Sequence, residues 1–170
     1  MSEYFKAAPL SRQIKLLTVA TFVILAGTTG ILYTTFESRM IRHMGVMIFI
    51  VDGLVVCGLL AWAVVSMIRG YEISPGKLVI VRLAGRKEIP LGQDVSAQAD
   101  QNSMKGSLRK FDNGGFFSIT GLFYNSTLGN FHAYVTDTKK SLVIKSSAGT
   151  VVISPEKPEE CAARLSGQIK

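Results

Sequence analysis

The sequence is poor in charge: 18% of its 170 residues are Asp, Glu, Lys or Arg, where a soluble globular domain carries about a quarter. It is poorer still in the residues that do chemistry. Its two cysteines, Cys57 and Cys161, lie one inside an apolar run and the other near the C-terminus. No CxxC is present, which argues against a disulfide framework or a zinc knuckle. The two histidines, His43 and His132, stand apart with no Cys, Asp or Glu at ligand spacing, so no metal site is expected. There is no GxSxG and no HExxH. Gly114-Gly115 with Gly121 is not followed by GK[ST], and Phe116, Phe117 and Ile119 fill positions where a phosphate cradle needs small residues. Nor is there a continuous Lys/Arg block of the kind that binds nucleic acid. These absences leave no expected cofactor, no nucleic-acid partner and no expected enzymatic activity. The length also excludes a large multidomain enzyme.

Apolar sequence, by contrast, is abundant and unevenly distributed. Hydrophobic residues make up 48% of the chain, concentrated in two runs within the first 70 residues. Leu16 to Phe36 is 21 residues without a charge, and Met44 to Ile68 is 25 residues interrupted only by Asp52. At about 1.5 Å per residue, either run crosses a hydrocarbon core of about 30 Å as a helix. The second holds thirteen Leu, Ile, Val and Phe, worth roughly −4 to −8 kcal/mol of insertion, against about 2.5–3.5 kcal/mol for a central carboxylate. Two membrane helices are predicted, at about 14–36 and 44–68, forming an antiparallel hairpin over residues 1–69. The first run is longer than a signal-peptide h-region, lacks a small-x-small cleavage pattern and is followed by another apolar run. It therefore reads as a retained helix.

Orientation follows from the basic residues. Lys6, Arg12 and Lys15 precede the first helix, Arg69, Lys77 and Arg82 follow the second, and the connector Glu37–His43 carries Arg39 and Arg42. This bias predicts a multi-pass protein of the cytoplasmic (inner) membrane with both termini cytoplasmic. Asn125-Ser126-Thr127 matches the N-glycosylation pattern, which has no meaning on that side. Asp52 falls opposite Thr28 and Thr29 in such a hairpin. It reads either as a proton or ion relay or as an interhelical hydrogen bond beside Gly27, Gly30, Gly53 and Gly58. Because it is the single ionisable group within the runs, the hydrogen bond is favoured.

From Tyr71 the pattern changes to short alternating segments. Leu78–Leu83 follows the turn Ser74-Pro75-Gly76, and Lys87–Leu91 and Val95–Ala99 are shorter strands. Asn130–Thr136, Ser141–Lys145 and Thr150–Ser154 are strands separated by Asp137–Lys140 and Ser147–Gly149, both predicted to be hairpin turns. Phe131, Ala133 and Val135 would face one way, with His132, Tyr134 and Thr136 facing the other. Pro158, Glu159 and Glu160 then open an amphipathic helix that buries Cys161, Leu165 and Ile169. No βαβ alternation occurs, which disfavours a parallel nucleotide-binding sheet. The prediction is an α+β membrane protein with a transmembrane α-hairpin and, over residues 70–170, a small antiparallel β-barrel or sandwich closed by a helix.

The segment GGFFSITGLFYNSTLGNFHAYVTDTKKSLVIKSSAGTVVISPEKPEE, beginning at Gly114, resembles bacterial pleckstrin-homology-like (PH-like) domains attached to short membrane hairpins. The resemblance rests on the Gly- and Phe-rich start, Tyr134-Val135-Thr136-Asp137 and Ile153-Ser154-Pro155 before an acidic helix start, and it extends over roughly residues 70–167. It implies a PH-like barrel but no activity. By analogy with headgroup-binding PH domains, Lys105, Arg109 and Lys110 with Phe116 and Phe117 form a possible lipid or partner contact. The alternative is that the phenylalanines are core and the cations a solvated loop. The favoured function is a membrane-anchored, non-catalytic interaction module binding a protein partner or a second copy of itself. An anionic-lipid module and a small transport or relay subunit using Asp52 are the alternatives.

Overall fold

The computed structural model describes residues 3–35, 42–111 and 118–167. The chain opens with strand β1 (Glu3–Lys6), then helices α1 (Arg12–Thr35) and α2 (Arg42–Val65). Strands β2 (Ile68–Ser74), β3 (Lys77–Arg82), β4 (Arg86–Pro90) and β5 (Ser96–Ala99) follow. The remainder is β6 (Leu108–Phe111), β7 (Ile119–Asn125), β8 (Gly129–Val135), β9 (Leu142–Ser146), β10 (Gly149–Ile153) and helix α3 (Pro158–Gly167).

The molecule is α+β. One sheet has the order β1-β2-β3-β4 and the other β5-β9-β10-β8-β7-β6. β1 pairs antiparallel with β2, in register Phe5↔Tyr71 and Lys6↔Gly70. The segment ahead of the first helix, which sequence grouped with the hairpin, thus contributes a strand to the domain. The helix pair is inserted between two adjacent strands. The observed bounds of α1 and α2 replace the expected 14–36 and 44–68, because Arg12 joins the first turn and the chain is already extended at Ile68.

Within α1, Ile14–Ile31 is long and apolar enough to cross a membrane, with mean hydropathy 1.8 and 12% of it buried; in α2 the apolar stretch Ile50–Trp62 is shorter. The two helices run side by side, joined by a hydrogen bond from Thr29 Oγ1 to Asp52 Oδ2 at 2.5 Å. The expected connector lies largely outside the described residues.

Two corrections concern the larger sheet. Residues 137–140 do not form a hairpin turn. Asp137 Oδ1 accepts from Lys139 N at 3.0 Å and caps a single 3-10 turn, Thr138–Lys140. This wider path carries β9 past one strand position, and β10 fills the gap, antiparallel to β9 but parallel to β8. The sheet is therefore mixed rather than wholly antiparallel. The second concerns burial: both faces of β8 are covered. Tyr134 joins a core with Tyr71, Ile73, Leu78, Ile80, Leu142, Ile144 and Ile153 between the sheets. Phe131, Ala133 and Val135 join Phe123, Val143 and Val152 on the opposite face, where Met104 and Leu128 pack on them. His132 alone of the six expected alternating residues is exposed.

α3 closes the first core with Cys161 and Leu165, both buried, while Ile169 lies outside the described residues. Acidic Glu159 and Glu160 occupy its first turn and Arg164 its last, as the helix dipole favours.

Candidate functional site

The Lys105–Lys110 region is not one cationic cradle. Lys105 sits in a turn, its N–H bonded to Asn102 O at 2.9 Å and its side chain exposed. Arg109 lies over the Phe123 ring at 5.6 Å, and Lys110 over the Tyr124 ring at 5.0 Å. Phe123 and Tyr124 are successive strand residues and project from opposite faces of the sheet, so the two cations are separated by it. Phe123 stacks on Phe131 with ring centroids 5.9 Å apart, which makes Arg109 a cover for the outer core. Lys110 also donates to Asn130 Oδ1 at 2.9 Å. Phe116 and Phe117 lie outside the described residues.

Between the helices, Thr29 meets Asp52 and Thr28 does not. Thr29 Oγ1 lies 2.9 Å from Leu25 O as well, so its single proton is shared between that carbonyl and Asp52, while the Thr28 hydroxyl donates back to the same carbonyl at 2.8 Å. A groove of about 700 Å³ opens beside the pair, lined by Phe22, Leu25, Ala26, Gly30, Gly53 and Val56 among others. A Cβ added at Gly27, Gly30, Gly53 or Gly58 would meet nothing within 4 Å, so these glycines border open space and do not mark a close approach of the two backbones.

Asn125 is fully engaged. Its Nδ2 donates to Ser103 O at 2.8 Å and Ser107 Oγ at 3.0 Å, and its Oδ1 accepts from Thr127 N at 3.1 Å and Leu128 N at 2.7 Å. In the glycosylation pattern Asn125 is buried, while Ser126 and Thr127 are exposed in the turn that follows it. Among the described residues no three His, Cys, Asp or Glu side chains gather where a metal ion would sit.

Sequence reasoning missed a buried polar network where the helices join the domain. The Tyr71 hydroxyl donates to Tyr134 O at 2.7 Å and accepts from Ser154 N at 3.2 Å. Ser154 Oγ accepts from Thr136 N at 2.7 Å and lies 3.0 Å from Thr136 Oγ1. Thr136 Oγ1 in turn donates to Ala8 O at 2.7 Å. Burial pushes the Tyr71 phenol up to about 12, opposed by its hydrogen bonds to Ser154. The network ties β2, β8 and β10 to the segment leading into α1. Its members were legible as strand-end residues, but nothing in a linear pattern pairs Tyr71 with Ser154, 83 positions away.

Two sheets packed on a shared core and closed by a C-terminal helix define a small α+β domain of the PH-like class, a fold that does not by itself imply an activity. The family model for the bacterial PH domain matches residues 69–169. The chain belongs to the bacterial PH domain family. Neither a characterised protein nor a solved structure is significantly similar to it.

Proposed function

We propose that this protein is a membrane-anchored, non-catalytic interaction module. In this reading α1 and α2 cross the bacterial inner membrane as a hairpin, both termini are cytoplasmic, and the PH-like domain binds a protein partner or a second copy of itself. The observation that carries the reading is the insertion of an apolar helix pair between the paired strands β1 and β2. That connection leaves the domain no freedom to act away from its helices. The basic residues flanking the helices support the cytoplasmic side.

The sheet edge at β6 is the surface best suited to a partner. Leu108 is 69% exposed and pairs in register with Tyr124, itself 41% exposed. An edge strand of this kind accepts an added strand, with apolar side chains giving specificity. The lipid alternative through Lys105, Arg109 and Lys110 is less well supported because the sheet divides those cations. The relay alternative is less well supported because Asp52 is bonded to Thr29.

The test is purification of the full chain from carbonate-washed membranes in mild detergent. The expected result is an integral protein with a partner, or a second copy, in fixed stoichiometry that Leu108→Arg releases. Complete extraction by carbonate would overturn the anchoring; a monomer alone, for wild type and variant alike, would overturn the interaction role.

A further inference from the structure

The segments joining helices to domain are short and hydrogen-bonded. Ala7 N donates to Arg69 O at 3.0 Å, Ala8 N to Ser154 O at 2.8 Å and Ser11 N to Thr136 O at 3.2 Å. Thr136 Oγ1 closes the same segment through Ala8 O. On the return side the β3–β4 turn reaches the end of α2, with Leu83 N bonded to Met67 O at 3.0 Å and Ala84 N to Val65 O at 3.2 Å. Connections bonded at both ends of the hairpin form no hinge. The fold itself therefore sets which end of the domain faces the membrane: the end where β1, β3 and β8 finish and β2 and β4 begin.

That end is basic. Arg12 and Lys15 lie at the start of α1, and Arg69 sits at the register shift opening β2. Arg82 ends β3, and Lys139 and Lys140 lie on the 3-10 turn after Thr136. Among the described residues none of these six cations is in an ion pair. The nearby acid Asp137 is engaged by a backbone N–H. Arg82 Nε is shielded from solvent and has no acceptor among the described residues, a costly state that an incoming phosphate oxygen would relieve. Leu83, 40% exposed, adjoins it. Trp62, 45% exposed, lies one turn before the end of α2, where an interfacial aromatic belongs.

We propose that this junction collar, centred on Arg82 with Arg12, Lys15, Arg69 and Lys139 around it, binds the headgroups of anionic phospholipids in the leaflet from which the helices start. The proposal rests on the membrane-anchored reading above. Charge complementarity and continuity with the helices select that occupant: the cations stand at headgroup level, and each contributes about a fivefold preference for an anionic surface. The collar makes the domain's pose on the bilayer depend on lipid charge and on salt.

Trp62 is the only tryptophan in the chain, which supplies the probe. The full protein is reconstituted in vesicles of phosphatidylcholine and phosphatidylglycerol in equal parts, with brominated acyl chains on one lipid or the other. The expected result is quenching of Trp62 by brominated phosphatidylglycerol several-fold beyond its mole fraction, falling with salt. The preference disappears in Arg69→Gln/Arg82→Gln/Lys139→Gln, whose unfolding in neutral detergent matches wild type. Should that variant not fold, Arg12→Gln/Lys15→Gln, at exposed helix positions, reports the same loss in part. Quenching by both lipids in proportion to mole fraction overturns the collar and leaves the anchor standing. No quenching by either lipid overturns the anchor itself. A change in emission when inorganic phosphate is added to purely phosphatidylcholine vesicles assigns the site to a soluble anion and overturns the lipid assignment.

Discussion

Replacing Tyr71 by Phe isolates the buried network from the packing around it. The ring is fully buried, and its van der Waals contacts survive the change. What is lost is one hydroxyl that donates to Tyr134 O and accepts from Ser154 N. Leaving a buried polar group without its partner costs about 1–3 kcal/mol. With the Ser154 N–H abandoned and the Tyr134 carbonyl deprived of a donor, we expect a loss of about 2–3 kcal/mol. For a domain of this size that is roughly 10–20 °C in Tm. The assay is denaturation of the full chain in detergent micelles followed by near-ultraviolet circular dichroism. Amide exchange is also expected to quicken at Ala8 and Thr136, because the network holds the segment leading into α1. A loss below about 0.5 kcal/mol, the range of an ordinary surface change, would refute the network as a source of stability. The same variant has a pH signature. Tyr71 is held near 12 in the folded state by burial, against about 10 unfolded. The folded protein keeps the proton longer, so stability is full below pH of about 10 and falls between about 10 and 12 by about 1.4 kcal/mol per pH unit for this group. Tyr71→Phe is expected to flatten that part of the alkaline limb.

Three further outcomes are expected. A Cβ at Gly92 would stand 2.9 Å from the backbone N of Ala148 and 2.0 Å from Ser147 Oγ; Gly92→Ala displaces the β9–β10 turn and costs about 1–3 kcal/mol, and an unchanged denaturation midpoint would sink this packing argument. Asp52→Asn keeps an acceptor for Thr29 while removing a charge worth about 2.5–3.5 kcal/mol against insertion at a helix centre, so membrane insertion in a glycosylation-mapping assay is expected to improve with partner binding unchanged; loss of partner binding would revive a functional role for the carboxylate. The Cys161 thiol is buried and pushed up to about 12, chiefly by desolvation, with Glu3 and Glu160 adding to it. It is expected to resist maleimide at neutral pH until α3 is unfolded, and rapid labelling of the native protein would contradict its place in the core.

Much of the domain was legible because its signals are local. The turn at Ser74–Gly76, the short apolar runs along β3, β8, β9 and β10, and the Pro-Glu-Glu start of α3 depend on residues near one another in the chain. The candidate contact at Lys105, Arg109 and Lys110 was legible as a cluster of charge and not as a shape. Whether Arg109 and Lys110 share a face depends on the register shift in β6, where Arg109 pairs with Phe123 but Phe111 pairs with Leu122. No composition rule reports such an offset.

Sequence by itself determined where the apolar runs lie, that short strands follow them and that a capped helix ends the described chain. Each of these follows from local periodicity and from the conformational limits of glycine and proline. The tertiary structure alone decided which strands are neighbours. It joined β1 to β2 across the two helices, set β10 beside β8 in parallel and covered both faces of β8. It also brought Tyr71, Thr136, Ser154 and Ala8 into one network, and Arg82 to the base of the helices. The physical reason is that strand pairing and polar satisfaction are contacts between residues far apart in sequence. Their free energy depends on which surfaces meet, and that information exists only in the folded chain.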